Sequence, residues 1–340
     1  MSMAGAARLG HAALGAAALA LLVALPAWAE LFTVINATIW VATALLALSL
    51  GLVWGFGGIL CLGQTAFFGL GGYAYAVAAI NLGDTTLAVP IAVAVAAGFA
   101  AALGYVLFYG RLGDVYLGVI TLTVSLILFK VINSTSGPEY VIGAARLGGF
   151  NGMPATPPLN APFDPASPLS PATIFRVAMA ALIAVYFGCL WLLGTGFGRV
   201  AVAIRENELR AALLGYDVRL RKLALFAIGG AIAGLAGVLF ANSVFVSPTM
   251  FSLYYAAQAL IWVIVGGLGT LAGPALGAVA VQVLTTALGR LGQLDPALAR
   301  LDPNVVLGLV LVLVVLLLPQ GLLPALGRAL TRLAGGRARP

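Results

Sequence analysis

Residues 31–50 read Leu-Phe-Thr-Val-Ile-Asn-Ala-Thr-Ile-Trp-Val-Ala-Thr-Ala-Leu-Leu-Ala-Leu-Ser-Leu, without a single charged side chain. A helix needs about 20 apolar residues to cross the hydrocarbon core of a bilayer, and this stretch supplies them. Runs of the same kind lie at 11–29, 59–80, 87–109, 115–132, 172–195, 222–241, 253–268, 270–288 and 303–319. The pattern predicts an all-α integral membrane protein, a polytopic helix bundle of about 10 (8–10) transmembrane helices with Gly-rich breaks, forming one transmembrane domain over 1–340. Only Gly266, Gly267 and Gly269 separate the runs at 253–288, so that pair reads either as two short spans or as one span and a re-entrant segment.

Composition agrees. Hydrophobic residues make up 62% of the chain and charged residues 8%, whereas a soluble domain has about a quarter of its residues charged. Most of this surface must therefore face lipid. Two lysines and one histidine, His11, leave no cluster for catalysis or metal binding. No catalytic residue, metal site or cofactor is expected. Cys61 and Cys189 both lie in apolar runs and read as buried thiols, not as a disulfide framework. The phosphate-cradling pattern GxxxxGK[ST] is also missing, because Lys130 precedes Val131 and Lys222 precedes Leu223. If transport is driven by ATP, the ATPase is another polypeptide.

The net charge of +7 reports topology, not nucleic acid. With the N-terminus inside and ten crossings, Arg8, Arg111, Arg199, Arg205, Arg210, Arg219, Arg221, Lys222, Arg328, Arg332, Arg337 and Arg339 fall inside. Lys130, Arg146, Arg176, Arg290 and Arg300 fall on or near the outer side. The positive-inside rule then places both chain ends in the cytoplasm, with 322–340 as a basic cytoplasmic tail. Ala27-Trp28-Ala29 has the small-x-small shape of a signal-peptidase site. Another apolar run follows at once and only Arg8 precedes, so we read the first run as an uncleaved span.

Charged residues all lie at or near the ends of these runs. A mid-membrane carboxylate usually marks ion coupling, so its absence weighs against the alternative of an ion-coupled secondary transporter. Glycine is abundant, at 43 residues. The small residues of 229–237 suit close helix packing. The runs 55–58 and 266–269 read equally as tight turns or as breaks in discontinuous helices that meet a substrate.

Two connections carry the soluble features. The outer loop 133–171 holds Pro138, Pro154, Pro157, Pro158, Pro162, Pro165, Pro168 and Pro171. We expect packing over 137–152 and an extended spacer over 154–171. The inner loop 196–222 predicts a short helix that starts at Asn207 or Glu206, with Glu206 and Glu208 at its positive end. Leu209, Ala212 and Leu213 share a face, Gly215 stops the helix and Asp217 caps the next span. The loop suits either anionic lipid or a cytosolic partner.

Three stretches in order resemble the permease subunits of bacterial branched-chain amino-acid ABC importers, a family with related urea and amide permeases. They are Gly57-Gly58-Ile59-Leu60-Cys61-Leu62-Gly63-Gln64-Thr65-Ala66-Phe67-Phe68-Gly69-Leu70-Gly71-Gly72-Tyr73, the segment from Arg199 to Phe226, and Val246-Ser247-Pro248 through Gly266-Gly267-Leu268-Gly269-Thr270-Leu271-Ala272-Gly273-Pro274. The match spans about 40–320. It departs at Cys61, where Ser is usual, at Arg221 in place of Tyr, and at 135–138, which lack a Gly-Gly pair. The resemblance implies a multi-pass protein of the bacterial inner membrane, working by alternating access. Its implied partners are cytosolic ATP-binding subunits, a second and different permease chain, and a periplasmic substrate-binding protein. It selects the docking reading of the inner loop, with Arg205, Glu206, Asn207, Glu208, Leu209, Ala212, Leu213 and Gly215 coupling to the ATPase. A polar solute needs hydrogen bonds along its path. Gln64, Thr65, Thr121, Gln258 and Gln282 are the expected polar groups, with Phe67, Phe68 and Tyr73 as an apolar wall. Thr123 and Ser125 are expected to bond only their own helix backbone.

Overall fold

The computed structural model describes residues 3–110 and 112–294, with isolated positions at 308–309, 312 and 321–325. Among these the helices are α1 (Met3–Trp28), α2 (Leu31–Gly57), α3 (Gln64–Leu82), α4 (Thr85–Tyr109), α5 (Asp114–Asn133), α6 (Pro171–Gly194), α7 (Gly196–Glu206), α8 (Glu208–Leu213), α9 (Val218–Ala241), α10 (Leu253–Gly266) and α11 (Ala272–Leu294). Among the described residues, seven helices are long and apolar enough to cross a membrane: α1 to α6 and α9. Two shorter apolar helices, Leu253–Gly266 and Ala272–Leu288, match the paired run at 253–288. The expected run 303–319 and the tail beyond residue 325 lie essentially outside the described residues.

The bundle is organised around α2 and α9. These two touch each other, and each is buried along most of its length. The contact of α4 with α9 is made by small residues. On α4, Ala88, Ala92, Ala96, Ala100 and Gly104 recur every fourth position and are all buried. Gly230 and Gly234 of α9 face them, and a Cβ at either glycine would overlap Ala100 or Ala96. Side chains four apart form one ridge on a helix, and small ridges let two backbones approach closely. The glycine stretch 229–237 therefore packs as expected. Gly237 continues the contact toward α3, where a Cβ would overlap the Phe68 carbonyl. By contrast α1 packs chiefly on α6 and leaves Leu19, Leu21 and Val23 exposed, as a lipid-facing helix does.

One end of the bundle collects the turn after α2, the connection from α6 to α9 and the α10–α11 turn. Gly55 lies against Gly269, since a Cβ on Gly55 would be 3.1 Å from the Gly269 nitrogen. His11 hydrogen-bonds the Tyr186 hydroxyl at 2.5 Å, so α1 starts beside the closing turns of α6. Gly321 lies against Gly267. The start of α1 and residue 321 thus share the end that carries the inner loop.

The segment between α9 and α10 is re-entrant. Val246 pairs with Met153 at the opposite end. The chain then dips inward as a buried 3-10 turn, Pro248–Phe251. Glycines on α3 make room for it, because a Cβ on Gly69 would strike the Phe251 ring. Such irregular backbone survives at membrane depth only when protein surrounds it. α10 starts deep as a result. Its 14 residues reach only about 21 Å, and the 3-10 turn completes the crossing. The Gly267–Leu271 turn, with φ 115° at Gly267 and 83° at Gly269, sends α11 back along α10.

The outer loop corrects the expectation of a spacer over 154–171. Strand β1 (Val141–Ile142) pairs with β2 (Ala145–Arg146), and β3 (Asn160–Ala161) pairs with β4 (Asp164–Pro168), both antiparallel. Tyr75 donates its hydroxyl proton to the Pro157 carbonyl at 2.9 Å, and the Leu159 N–H donates to Asn242 Oδ1 at 2.7 Å. Asn160 is buried, donates to Asp84 Oδ1 at 2.9 Å and accepts from Thr85. Prolines fix extended backbone without supplying N–H donors. Here α3, α4 and α9 supply the missing partners. Asp84 caps α4 by accepting from the Thr86 N–H at 2.9 Å. That bond, with the Asn160 amide, holds its carboxyl below the usual carboxylate range.

Candidate functional site

The first site is a buried polar cluster at the break between α2 and α3. Gly58, at φ 68°, ends α2 by donating its N–H to the Trp54 carbonyl at 3.1 Å. The chain then runs without helical bonding until α3 starts at Gln64. A helix N-terminus leaves free N–H groups. Two of the nearest, on Leu62 and Gly63, donate to Thr121 Oγ1 at 3.2 and 3.3 Å. The Thr121 hydroxyl donates in turn to the Gly118 carbonyl at 2.9 Å. Thr121 lies seven residues into α5, about 10 Å along its axis. So α3 begins inside the bundle and not at its end: the run 55–58 closes α2 in a left-handed turn at the bundle's end, and 59–63 carry the chain back to the depth where α3 starts. The run 266–269 is a turn at the bundle's end.

Gln64 is 1% exposed. Its Nε2 donates to Ser49 Oγ at 3.0 Å and to the Gly229 carbonyl at 3.2 Å. Its Oε1 has no hydrogen-bond partner among the described residues. An unsatisfied buried acceptor costs about 1–3 kcal/mol. Next to it, Thr65 Oγ1 and Ser125 Oγ lie 2.8 Å apart, and Ser125 donates to the Phe251 carbonyl at 3.0 Å. Side chains of α2, α3 and α5 therefore form three small hydrogen-bonded groups around the start of α3: Ser49 with Gln64, Thr65 with Ser125, and Thr121 with the Leu62 and Gly63 N–H groups. Ser49 is eight residues from the end of α2 and Gly229 is eleven from the start of α9, roughly 12 and 17 Å by helical rise. That is near the middle of a core about 30 Å thick.

The other expected path residues are distributed differently. Phe67 meets Phe226 edge-on at 5.3 Å, and Phe68 meets Phe240 at the same distance, so both rings are part of the packed core. The Tyr73 ring lies 5.7 Å from Phe251, with its hydroxyl buried and without a partner among the described residues. Gln258 donates to the Tyr254 hydroxyl on its own helix at 3.1 Å. Gln282, on α11, reaches Thr43 at 3.5 Å. Neither joins the Gln64 cluster. Thr123 bonds the Val119 carbonyl of its own helix, as expected. Ser125 does not, and this corrects the expectation: its hydroxyl crosses to α3 and to the 3-10 turn. Ser49 carried no signal in the sequence, because its bond to Gln64 spans a break that no helical period predicts.

The second site is the inner loop. Thr195 caps α7, Asn207 caps α8 by accepting from the Arg210 N–H at 2.8 Å, and Asp217 caps α9 by accepting from the Leu220 N–H at 3.0 Å. Gly215 ends α8 at φ 88°. α7 itself was not anticipated from the sequence. Val200, Ile204, Ala211 and Val218 form a small core of their own under α8. Ala211 is thus the inward anchor. Leu209, Leu213 and Leu214 stand out at 71%, 80% and 72% exposure, with Ala212 exposed between them. Glu208 pairs with Lys222 at 2.6 Å and ties α8 to α9. Arg205 turns away from this exposed face: its Nη1 donates to the Gly55 carbonyl, and its Nε and Nη2 hold the Glu206 carboxylate.

The profile of the family described as "Branched-chain amino acid transport system / permease component" matches residues 32–318. The high-affinity branched-chain amino acid transport system permease protein LivM of Escherichia coli is 31% identical over 95% of this chain and 77% of its own length. LivM of Salmonella typhimurium is 30% identical over 94% of this chain and 77% of its own length. A probable LivM of Methanocaldococcus jannaschii is 30% identical over 65% of each chain. No solved structure matches.

Proposed function

Because this chain belongs to the branched-chain amino acid transport permease family, we propose that it is one transmembrane permease of an ATP-driven importer in a bacterial inner membrane. It carries branched-chain amino acids, or a closely related small polar solute, by alternating access. The observation that carries the ATP-driven reading is the exposed leucine face of α8, held rigid on the Val200–Ile204–Ala211–Val218 core. A short, well-capped helix offering Leu209, Leu213 and Leu214 beside the salt-bridged Glu208 suits an apolar groove on a soluble subunit with a polar rim.

In this reading the end bearing the inner loop is cytoplasmic, and two ATP-binding subunits grip α8 and its counterpart on a second, different permease chain. A periplasmic protein delivers the amino acid to the outer loop. The solute passes the break at 58–63, where Gln64 and Thr121 supply neutral hydrogen-bonding groups. Full charges would trap a zwitterion there; amides and hydroxyls hold it more loosely. The permease makes and breaks no covalent bond.

The test is retention of the ATPase on membranes. Leu209→Ala combined with Leu213→Ala removes two apolar anchors, each worth about 1.5–3 kcal/mol when buried. ATPase binding should weaken at least tenfold, and Glu208→Ala should have a smaller effect. A double variant that keeps both its ATPase and its transport rate refutes the docking role of α8.

A further inference from the structure

Arg205 lies against the end of α2 and close to the α10–α11 turn. Its Nη1 donates to the carbonyl of Gly55 in the last turn of α2. Its side-chain stem lies on the left-handed turn at Gly58, where a Cβ would be 2.9 Å from Arg205 Cγ. A Cβ on Gly269, in the α10–α11 turn, would be 3.8 Å from Nη1. The last carbonyls of a helix lack helical partners and carry the negative end of its dipole, so a guanidinium there is a charge-assisted fit. Glu206 accepts from Nε and Nη2 and fixes the guanidinium plane. Arg205 is also the last basic residue of α7, two residues before the Asn207 cap of α8.

We infer that Arg205 is the positioning residue that transmits movement of α8 to the C-terminal end of α2 and to the α10–α11 turn. This rests on the reading of α8 as the ATPase docking helix. The mechanical line is short. A shift of α8 moves Asn207 and Arg205, Arg205 draws on Gly55, and Gly55 lies less than two turns from Ser49, which holds Gln64. Gly58 leaves room for the stem, and Gly55 and Gly269 let α2 approach the second turn. Lysine supplies a charge but no fork, so it keeps the attraction to the helix end and loses the simultaneous grip on Glu206.

The experiment uses the complete transporter in proteoliposomes, with leucine supplied on its binding protein, and reads three quantities: ATPase retention, ATP hydrolysis, and leucine moved per ATP. For Arg205→Gln, retention and hydrolysis should match the unmodified transporter while leucine moved per ATP falls about tenfold, a coupling energy in the ordinary range. Arg205→Lys should fall between the two. An unchanged ratio in Arg205→Gln overturns the inference. So does a loss of ATPase retention, which would make Arg205 a docking contact, and so does failure of both variants to assemble, which would make it a folding contact. Failure of the docking reading itself shows separately, as full ATPase retention in the Leu209→Ala, Leu213→Ala double variant.

Discussion

Replacing Gln64 with leucine removes one polar side chain from the middle of the bundle and keeps nearly the same volume. The loss is two hydrogen bonds from Nε2, to Ser49 Oγ and to the Gly229 carbonyl. Side-chain hydrogen bonds inside membrane proteins average about 0.6 kcal/mol, so the pair contributes roughly 1 kcal/mol. Neither partner is stranded. Ser49 still donates to the Leu46 carbonyl at 2.7 Å, and the Gly229 carbonyl lies within α9, where a helical N–H reaches it. The gain is removal of the unpartnered Oε1, worth about 1–3 kcal/mol. Gln64→Leu should therefore be as stable as the unmodified chain or up to about 2 kcal/mol more so. A group kept unsatisfied at that cost makes sense when a passing solute satisfies it. Losing that contact takes about 1 kcal/mol from the barrier-crossing state, so uptake should fall roughly fivefold to tenfold. The assays are thermal unfolding of the purified complex and initial-rate leucine uptake in proteoliposomes. Uptake at the unmodified rate places the path elsewhere. A stability loss above about 2 kcal/mol would show the accounting at Gln64 to be wrong.

Other expectations follow from particular contacts. Gly237→Ala drives a Cβ into the Phe68 carbonyl and should cost about 1–3 kcal/mol of stability; Gly188→Ala on α6, with nothing within 4 Å, is the matched control and should cost nothing measurable. A cysteine at Ser167 should react with an impermeant reagent applied outside intact cells and one at Asn207 should not; the reverse pattern would invert the assigned orientation. The folded-state pKa of Asp84 is depressed by its bonds to Thr86 and Asn160. Its stabilising contribution is complete above the unfolded carboxylate value of about 3.9 and is lost as pH falls through the lower folded value. Amide protection at 84–86 and 159–161, with each exchange rate taken relative to its intrinsic value at that pH, should therefore fall below about pH 4, and Asp84→Asn should remove that acid dependence.

The inner loop shows how far the residues themselves reach. Asn207, Gly215 and Asp217 were legible as cap, stop and cap because capping is a contact over three or four residues, with the side-chain type deciding it. The leucine face of α8 was legible from its spacing. The opposite use of Arg205 was not, since its partner Gly55 lies 150 residues away. The same limit applies to the outer loop: eight prolines predict extended backbone, but only the folded bundle brings Asn242, Tyr75 and Thr85 to meet it.

Hydropathy by itself determined the class of protein, the position of the apolar runs and the two ends where loops fall, because a bilayer tests each helix locally, residue by residue. The small-residue stripe on α4, at 88, 92, 96, 100 and 104, was open to the same kind of reading through its four-residue period. Only the tertiary structure decided that α3 starts at mid-depth, that 248–251 re-enters the bundle, and that Ser49, Thr121 and Ser125 each meet the start of α3. Those pairings depend on the rotation and depth of each helix against its neighbours. Rotation and depth are set by steric fit between whole faces, such as Gly69 against Phe251 and Gly237 against Phe68, and no single run of apolar residues encodes the face it will meet.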